Sequence, residues 1–462
     1  MKTFAINTIG CKVNQYESQQ IRELLERLDL IEVETPKSKP DIVIINTCCV
    51  TLTASAKSRQ RIRKAQKLSP NALIIVCGCL PAAQTGEINS TGKNIHLISH
   101  RETTATTLSK IINNAKTTAL SQLEQNIIIK AENSSKIKLK NRHIFTTATL
   151  DKSTELPKLT PLTSFKGHTR AFLKIQDGCD GYCSYCIIPQ ARPIVHSKPA
   201  EMVLQEAKAL VEAGHKEIVV TGIFVGAYGQ KSVRRKNWTN LQNNKLADLL
   251  DKMAEIPNLA RIRVSSLEPG DVTPRLLDIF CGHNNIMPHL HLSLQSGSNA
   301  VLKKMCRQYN ADEFKEKVWL IKNRLDRPAI TADVIVGFPG ETDADFETTV
   351  KLAKEAGFAK MHVFSFSKRP GTAAALEETV NNEVMKRRSQ ILCELDAELG
   401  YQFRQQFFGE STEILMENEE KGRSERYFMV HLENSSKKPQ KGELVRVKLV
   451  KNSKNGVIGQ AE

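Results

Sequence analysis

Three cysteines, Cys179, Cys183 and Cys186, crowd into the run Gly178-Cys-Asp-Gly-Tyr-Cys-Ser-Tyr-Cys-Ile-Ile-Pro189. Thiolates at this C-x3-C-x2-C spacing can hold three irons of a [4Fe-4S] cube and leave the fourth iron without a protein ligand. An iron with an open position binds a substrate or cofactor, which separates a reaction centre from an electron carrier. Structural zinc is the competing reading. It wants four protein ligands in a closed tetrahedron, and the nearest histidines, His168 and His196, stand at no knuckle spacing from the loop. The loop also follows an apolar, strand-like run, Ala171-Phe-Leu-Lys-Ile175.

A second set of cysteines stands upstream. Cys11 follows a short strand in Thr8-Ile-Gly-Cys-Lys-Val-Asn-Gln-Tyr-Glu-Ser18, Cys48 ends the run Ile42-Val-Ile-Ile-Asn-Thr-Cys48, and Cys79 ends Ala72-Leu-Ile-Ile-Val-Cys-Gly-Cys79. Ligands of parallel α/β sheets bind at the carboxyl ends of strands, so distant cysteines at such ends can converge on one further cluster. A single buried cysteine is more often a small hydrophobe. Three at equivalent strand ends favour ligation.

Residues 1–115 alternate β-rich runs (Phe4 to Asn7, Ile42 to Asn46, Leu73 to Val76) with helical patterns from Asn14 to Leu28 and Thr53 to Leu68, with Asn14 and Thr53 as N-caps. That alternation predicts an α/β domain with a parallel sheet. Residues 116–164 read as a linker with one short strand near Gln125 to Ile129. Over 165–398 the alternation resumes, with strands at Phe172 to Ile175, Glu217 to Thr221, Arg261 to Ser265, His289 to Ser293, Thr331 to Val336 and Met361 to Phe366. A helix from Val380 to Phe407 leads into short strands punctuated by Gly422, Gly442 and Gly456, so 399–462 ends in a small β-barrel. There Val445, Val447 and Leu449 face inward and Arg446 and Lys448 outward.

The formal charge of +16 is uneven: residues 134–170 carry eight Lys/Arg against two acids, and 435–462 seven against two. A polyanion, nucleic acid above all, is the usual counterpart. No apolar run approaches the length of a membrane span. An odd count of eleven cysteines with no leader points to a reducing cytoplasm. Cys281, Cys306 and Cys393 read as packing residues. His289, His291 and Asp333 alternate along strands and read as satisfied core polar groups.

The loop at Cys179 resembles the signature of radical S-adenosylmethionine (SAM) enzymes, in which an aromatic residue, here Tyr185, precedes the last cysteine. The upstream set resembles the N-terminal domain of the methylthiotransferases, T-x-G-C-x-x-N-x-x-[DE]-S, then N-T-C, then G-C, matched at Cys11, Cys48 and Cys79. Leu80 to Gln84 is looser than the aromatic-Ala-Gln usual there. Cys49 and Cys77 stand beside the matched positions, and strand alternation turns each away from its neighbour, so both read as non-ligands. The C-terminal barrel resembles TRAM, an RNA-binding domain.

The resemblance covers nearly the whole chain, and it implies a partial (βα)6 barrel with chemistry at strand C-termini and two [4Fe-4S] clusters. Cys179, Cys183 and Cys186 would ligate the catalytic cluster, which reduces bound SAM to give a hydrogen-abstracting 5′-deoxyadenosyl radical. Cys11, Cys48 and Cys79 would ligate an auxiliary cluster that delivers methylated sulfur. By the same resemblance SAM would be bound by Tyr185, Gly222, Gly226, Ser265, Glu268, Gln295, Gly337 and Pro339. Arg446, Lys448, Lys451 and Lys454 would grip a tRNA backbone, with no role for DNA. Flavodoxin or ferredoxin would donate electrons. Lys12-Val13, where the isopentenyladenosine branch usually has Gln-Met, favours the branch acting on threonylcarbamoyladenosine at tRNA position 37. Isopentenyladenosine is the alternative, and the basic charge disfavours a ribosomal-protein aspartate. A non-catalytic Fe-S RNA-binding protein is the reading from another class, and it would have no use for an open iron.

Overall fold

The computed structural model describes residues 1–34, 38–83, 88, 94–114, 159–238, 243–433, 438–453 and 456–462. The strand expected near Gln125, the basic residues 134–158, Gln84 and Lys454 fall outside these.

Strands β1 (Thr3–Thr8), β2 (Ile31–Glu32), β3 (Ile42–Thr47), β4 (Leu73–Gly78) and β5 (Ile95–Leu97) form one parallel sheet in the order β2-β1-β3-β4-β5. β3 and β4 are buried at every residue, as parallel strands covered on both faces must be. Helices α1 (Lys12–Arg27) and α2 (Leu52–Leu68) lie on the sheet, with separate apolar clusters around Phe4, Leu25 and Ile75 and around Val43, Ile45 and Ile62. The caps of both helices lie earlier than Asn14 and Thr53, the positions read from sequence. Thr51 caps α2, its hydroxyl accepting from the Ala54 amide at 3.1 Å. Cys11 occupies the cap position of α1, because the Asn14 side chain is engaged elsewhere.

The core holds six parallel strands: β6 (Ala171–Asp177), β8 (Glu217–Gly222), β9 (Arg261–Val264), β10 (His289–Gln295), β11 (Ala329–Val336) and β12 (Lys360–Ser365). The sequence does not announce β7 (His196–Ser197), which pairs antiparallel with β6. The six make two half-sheets that meet, in the region of β9 and β10, at the isolated bridges Ile262–Ile286 and Leu267–Leu292. On β10, Leu290, Leu292 and Leu294 are buried in the main apolar cluster, so His291 and Ser293 take the opposite, inner face.

Five strands, β13 (Ser411–Met416), β14 (Lys421–Ser424), β15 (Met429–Leu432), β16 (Leu444–Ser453) and β17 (Gly456–Ala461), close into a barrel. Val447 and Leu449 fill it with Ile414, Met416, Val430 and Val457, while Val445 is only partly buried. The helix Asn382–Gln405 spans the junction, with Leu392 and Leu399 in the core cluster and Phe403 in that of the barrel. Polar contacts complete the seam. Arg261 donates to the carbonyls of Glu413 (2.7 Å) and Arg423 (3.1 Å), and Arg263 to those of Ser424 and Glu425 (both 2.7 Å). Tyr427 stacks on His289 with ring centroids 4.4 Å apart.

Both guanidiniums are fully buried, so removal of the barrel strips charged groups of their acceptors. Water replaces those acceptors, but Phe403 and Phe407 lose their apolar partners in the barrel, so a chain ending at Gly409 should lose about 3–6 kcal/mol from the unfolding of its core, at about 1.5–3 kcal/mol per exposed side chain. Calorimetry of both chains checks this; an unchanged core transition would make the barrel an appendage.

Candidate active site

Each fixed position of the upstream motif has a physical task. Gly10 has φ +118°, and a Cβ there would lie 2.8 Å from both the Asn14 amide nitrogen and the Cys48 Cβ. Gly78 has φ +92°, with a Cβ falling 2.4 Å from Asn46 Oδ1. Both conformations and both spaces demand glycine. Asn14 Nδ2 donates to the carbonyls of Ile9 and Thr47, each at 2.8 Å, and so ties the Cys11 turn to the Cys48 turn. Asn46 Nδ2 donates to the Asn14 carbonyl (2.8 Å) and Ser18 Oγ (3.0 Å), while Thr8 donates to Ser18 at 2.7 Å. Thr47 Oγ1 donates to the Cys77 carbonyl at 2.6 Å. Ser58 accepts from the Cys48 amide and donates to its carbonyl. Three turns are thereby locked to one another at one end of the sheet. Cys11 is exposed there, and Cys48 and Cys79 are buried.

The flanking thiols separate. Cys77 packs among Phe4, Leu25 and Ile75 on the far face, as alternation requires. Cys49 does not leave the site: it packs against Cys79, with Sγ 3.4 Å from the Cys79 carbonyl. Strand geometry ends at Thr47, so alternation does not govern residue 49. A hydrogen bond from the Cys49 thiol, aided by the Arg192 and Arg101 cations against the cost of burial, holds Cys79 well below the usual thiol range.

In the downstream loop Gly178 is forced by contact: a Cβ would sit 1.7 Å from the Ile194 carbonyl oxygen. The Cys179 amide donates to the Arg192 carbonyl at 2.8 Å, Gly181 N–H to Cys179 Sγ at 3.3 Å, and Ser184 N–H to the Met305 carbonyl at 3.1 Å. All three cysteines line one cavity of about 150 Å³ with Tyr185, Phe224, Ser266, Glu268, Ser293 and Arg307. Burial pushes Cys179 and Cys186 up to about 12, so ligation there displaces protons. Three sulfur donors on one short loop, with a cavity beside them, fit a cluster with an open iron. The upstream set likewise offers three sulfurs from interlocked turns.

Of the residues expected to bind SAM, Tyr185 and Glu268 line this cavity. Gly222, Gly226, Ser265, Gln295, Gly337 and Pro339 stand at strand ends outside its wall. Gly226 leaves room for Asp271, whose carboxylate would overlap a Cβ. Ser265 donates to Thr221 Oγ1 at 3.1 Å. Gly337 N–H donates to Glu341 at 2.7 Å, Gln295 adopts φ +65°, and Pro339 is buried. On the barrel Arg446, Lys448 and Lys451 are exposed, Arg446 pairing with Glu462 at 3.0 Å.

Two arginines that no motif announces organise the site. Arg307 donates to Cys183 Sγ at 2.9 Å and to Tyr185 Oη at 3.3 Å, and pairs with Glu268, a carboxyl raised by burial. Arg192, whose carbonyl holds Cys179, places both terminal nitrogens 2.9 Å from Glu17 and one 3.2 Å from Asn14 Oδ1. Burial alone would raise Glu17; Arg101, Arg192 and Lys174 hold it well below the carboxylate range.

Residues 173–353 match the Radical SAM superfamily and residues 3–99 the Uncharacterized protein family UPF0004. The chain is 35% identical to a threonylcarbamoyladenosine tRNA methylthiotransferase of Chlamydia pneumoniae over 90% of this chain and 87% of the relative. It is 34% identical to a namesake from Bacillus subtilis, covering 98% and 94% of the two chains. A tRNA-2-methylthio-N(6)-dimethylallyladenosine synthase of Polynucleobacter asymbioticus is 33% identical, over 93% and 92%.

Arg307→Met should strand Glu268 without its closest guanidinium and cost about 3–5 kcal/mol, part of which Glu268→Gln on the same background restores. Urea unfolding of the four proteins forms the cycle; additive losses would deny the coupling.

Proposed function

The chain belongs to the radical SAM methylthiotransferase family, and from that premise we propose that it attaches a methylthio group to C2 of threonylcarbamoyladenosine at position 37 of tRNA. Lys12 carries this choice of substrate. It follows Cys11 directly and opens α1. A cation beside the upstream thiols suits a substituent bearing a carboxylate and is a poor neighbour for an apolar isopentenyl chain. The identities to relatives of both branches lie within two percentage points, so overall likeness does not choose between them.

The target carbon carries no acidic proton for an ordinary base to remove. When bound, two [4Fe-4S] clusters and SAM supply the radical and sulfur chemistry that acid–base groups lack. The protein contributes position and charge. Cys179, Cys183 and Cys186 would hold the cluster that supplies the radical chemistry, while Arg307 steadies Cys183 and Glu268 beside the cavity. Tyr185 and Phe224 give it apolar walls that keep water from a reactive carbon centre. Cys11, Cys48 and Cys79 would hold the second cluster, which would supply the sulfur chemistry, with Cys49 as a donor to Cys79. Gly222, Gly226, Ser265, Gln295, Gly337 and Pro339 shape the strand ends around SAM.

The C-terminal barrel acts as a TRAM domain, its exposed Arg446, Lys448 and Lys451, with Lys454, gripping RNA backbone. That grip is electrostatic and weakens with salt. Free thiols at all eleven cysteines suit a reducing cytoplasm with a flavodoxin or ferredoxin as electron donor. Among the described residues no helix is long and apolar enough to cross a membrane.

Anaerobically reconstituted protein should carry about eight irons per chain. Cys48→Ser and Cys79→Ser should each lose about half of them while Cys49→Ser and Cys77→Ser keep them. Iron near half in the unaltered protein would remove the upstream cluster.

Nucleoside mass spectrometry of tRNA tests the substrate. Cells lacking the protein should lose the methylthio form of threonylcarbamoyladenosine and regain it with the unaltered gene, but poorly with Arg446→Glu/Lys448→Glu. Loss of methylthio-isopentenyladenosine instead would assign the other branch.

A further inference from the structure

The inner face of the second half-sheet carries a polar group that this chemistry leaves unused. His291 on β10, Asp333 on β11 and His362 on β12 bring one nitrogen or oxygen each within 4.8 Å of one another. His291 Nε2 lies 3.2 Å from Asp333 Oδ2, and the two imidazole centroids are 5.6 Å apart. Sheet register creates the group. Asp333 stands directly opposite His362 across β11 and β12, and Thr331, the partner of His291, is one same-face step behind Asp333.

The surroundings are those of a ligand set rather than a lone ion pair. Thr331 Oγ1 lies 2.8 Å from His291 Nδ1, which fixes the ring and turns Nε2 toward the carboxylate. Metal-ligating histidines characteristically use their second nitrogen in this way. His362 lies exposed on the edge strand β12, directly opposite Asp333, and completes the group from the third strand. Ser293, one same-face step beyond His291 and so about 7 Å along β10, lines the cavity that holds Cys179, Cys183 and Cys186.

We propose that His291, Asp333 and His362 form a site for one divalent late first-row transition ion, with its remaining positions open toward that cavity. Two imidazole nitrogens and one carboxylate oxygen suit iron(II), cobalt, nickel or zinc. Magnesium and calcium prefer shells made of oxygen. Three protein ligands leave room for water or a substrate oxygen, the arrangement of reactive rather than purely structural sites. The ion would anchor an oxygen-bearing substituent from beneath, whichever adenosine is bound. The proposal therefore stands apart from the choice of tRNA branch.

Cobalt(II) is a suitable probe on the anaerobically reconstituted protein, whose cluster cysteines are then occupied by iron. After chelator treatment and desalting, elemental mass spectrometry counts cobalt and iron together across a Co2+ titration. The expected result is about one cobalt per chain at unchanged iron. Asp333→Asn and His362→Gln should weaken cobalt binding at least tenfold, and Thr331→Val about 10–100-fold as an outer partner. His362→Gln, on the edge strand, keeps the fold and guards against misfolding as the cause. His283→Gln, at the separate His283–Asp251 pair, 2.7 Å apart, should bind as the unaltered protein does. Equal cobalt binding by Asp333→Asn, His362→Gln and the unaltered protein would overturn the proposal. So would cobalt that enters only as iron is lost, since that metal would sit on cysteines.

Discussion

One side chain and its own backbone hold the two thiol sets in a common frame. The carbonyl of Arg192 fixes Cys179 in the downstream loop, while its guanidinium grips Glu17 and Asn14 in the upstream domain. Glu17 and Asn14 belong to the turn and helix that follow Cys11, so a shift of this arginine would move both sets. A buried ionic group is expensive unless each charge is fully answered. Here Glu17 meets Arg101, Lys174 and Arg192 together, and Asp177 adds a second carboxylate to Arg192. The network ties the downstream loop to the helix after Cys11 through Arg192, Glu17 and Asp177 together.

Much of this was legible in the sequence because local rules act at each point. Glycines at residues 10 and 78 are written by backbone angles that only glycine tolerates at ease. Asn14, Asn46, Thr47 and Ser18 are written by orphan carbonyls at strand ends that need nearby donors. The parallel sheet, the partial barrel and the closed C-terminal barrel follow from hydrophobic period and strand spacing. The two arginines were not legible. Arg192 and Arg307 are single cations among 66 Lys and Arg, and nothing beside them in the chain marks their partners. Glu17 is 175 positions from Arg192, a pairing made only by tertiary contact.

The departures share this cause. Alternation placed Cys77 correctly because β4 is regular through Gly78, and misplaced Cys49 because β3 stops two residues earlier. The sequence shows His291 and Asp333 alternating along their strands, which reads as satisfied core polar groups and gives no register. His362 joins them only because β12 pairs with β11 so that it lies opposite Asp333. Side-chain direction is a local property; neighbours across a sheet are not.

The seam between core and barrel has a mechanical consequence. With Arg261 and Arg263 bonded into β13, β14 and the turn after it, and one helix running through both bodies, the span from basic rim to thiol-lined cavity is set like the jaws of a calliper. A substrate long enough to touch both ends finds no hinge to close around it there. For the substrate proposed above, whatever bending is needed to reach from that rim to the cavity would fall to the RNA rather than to this seam.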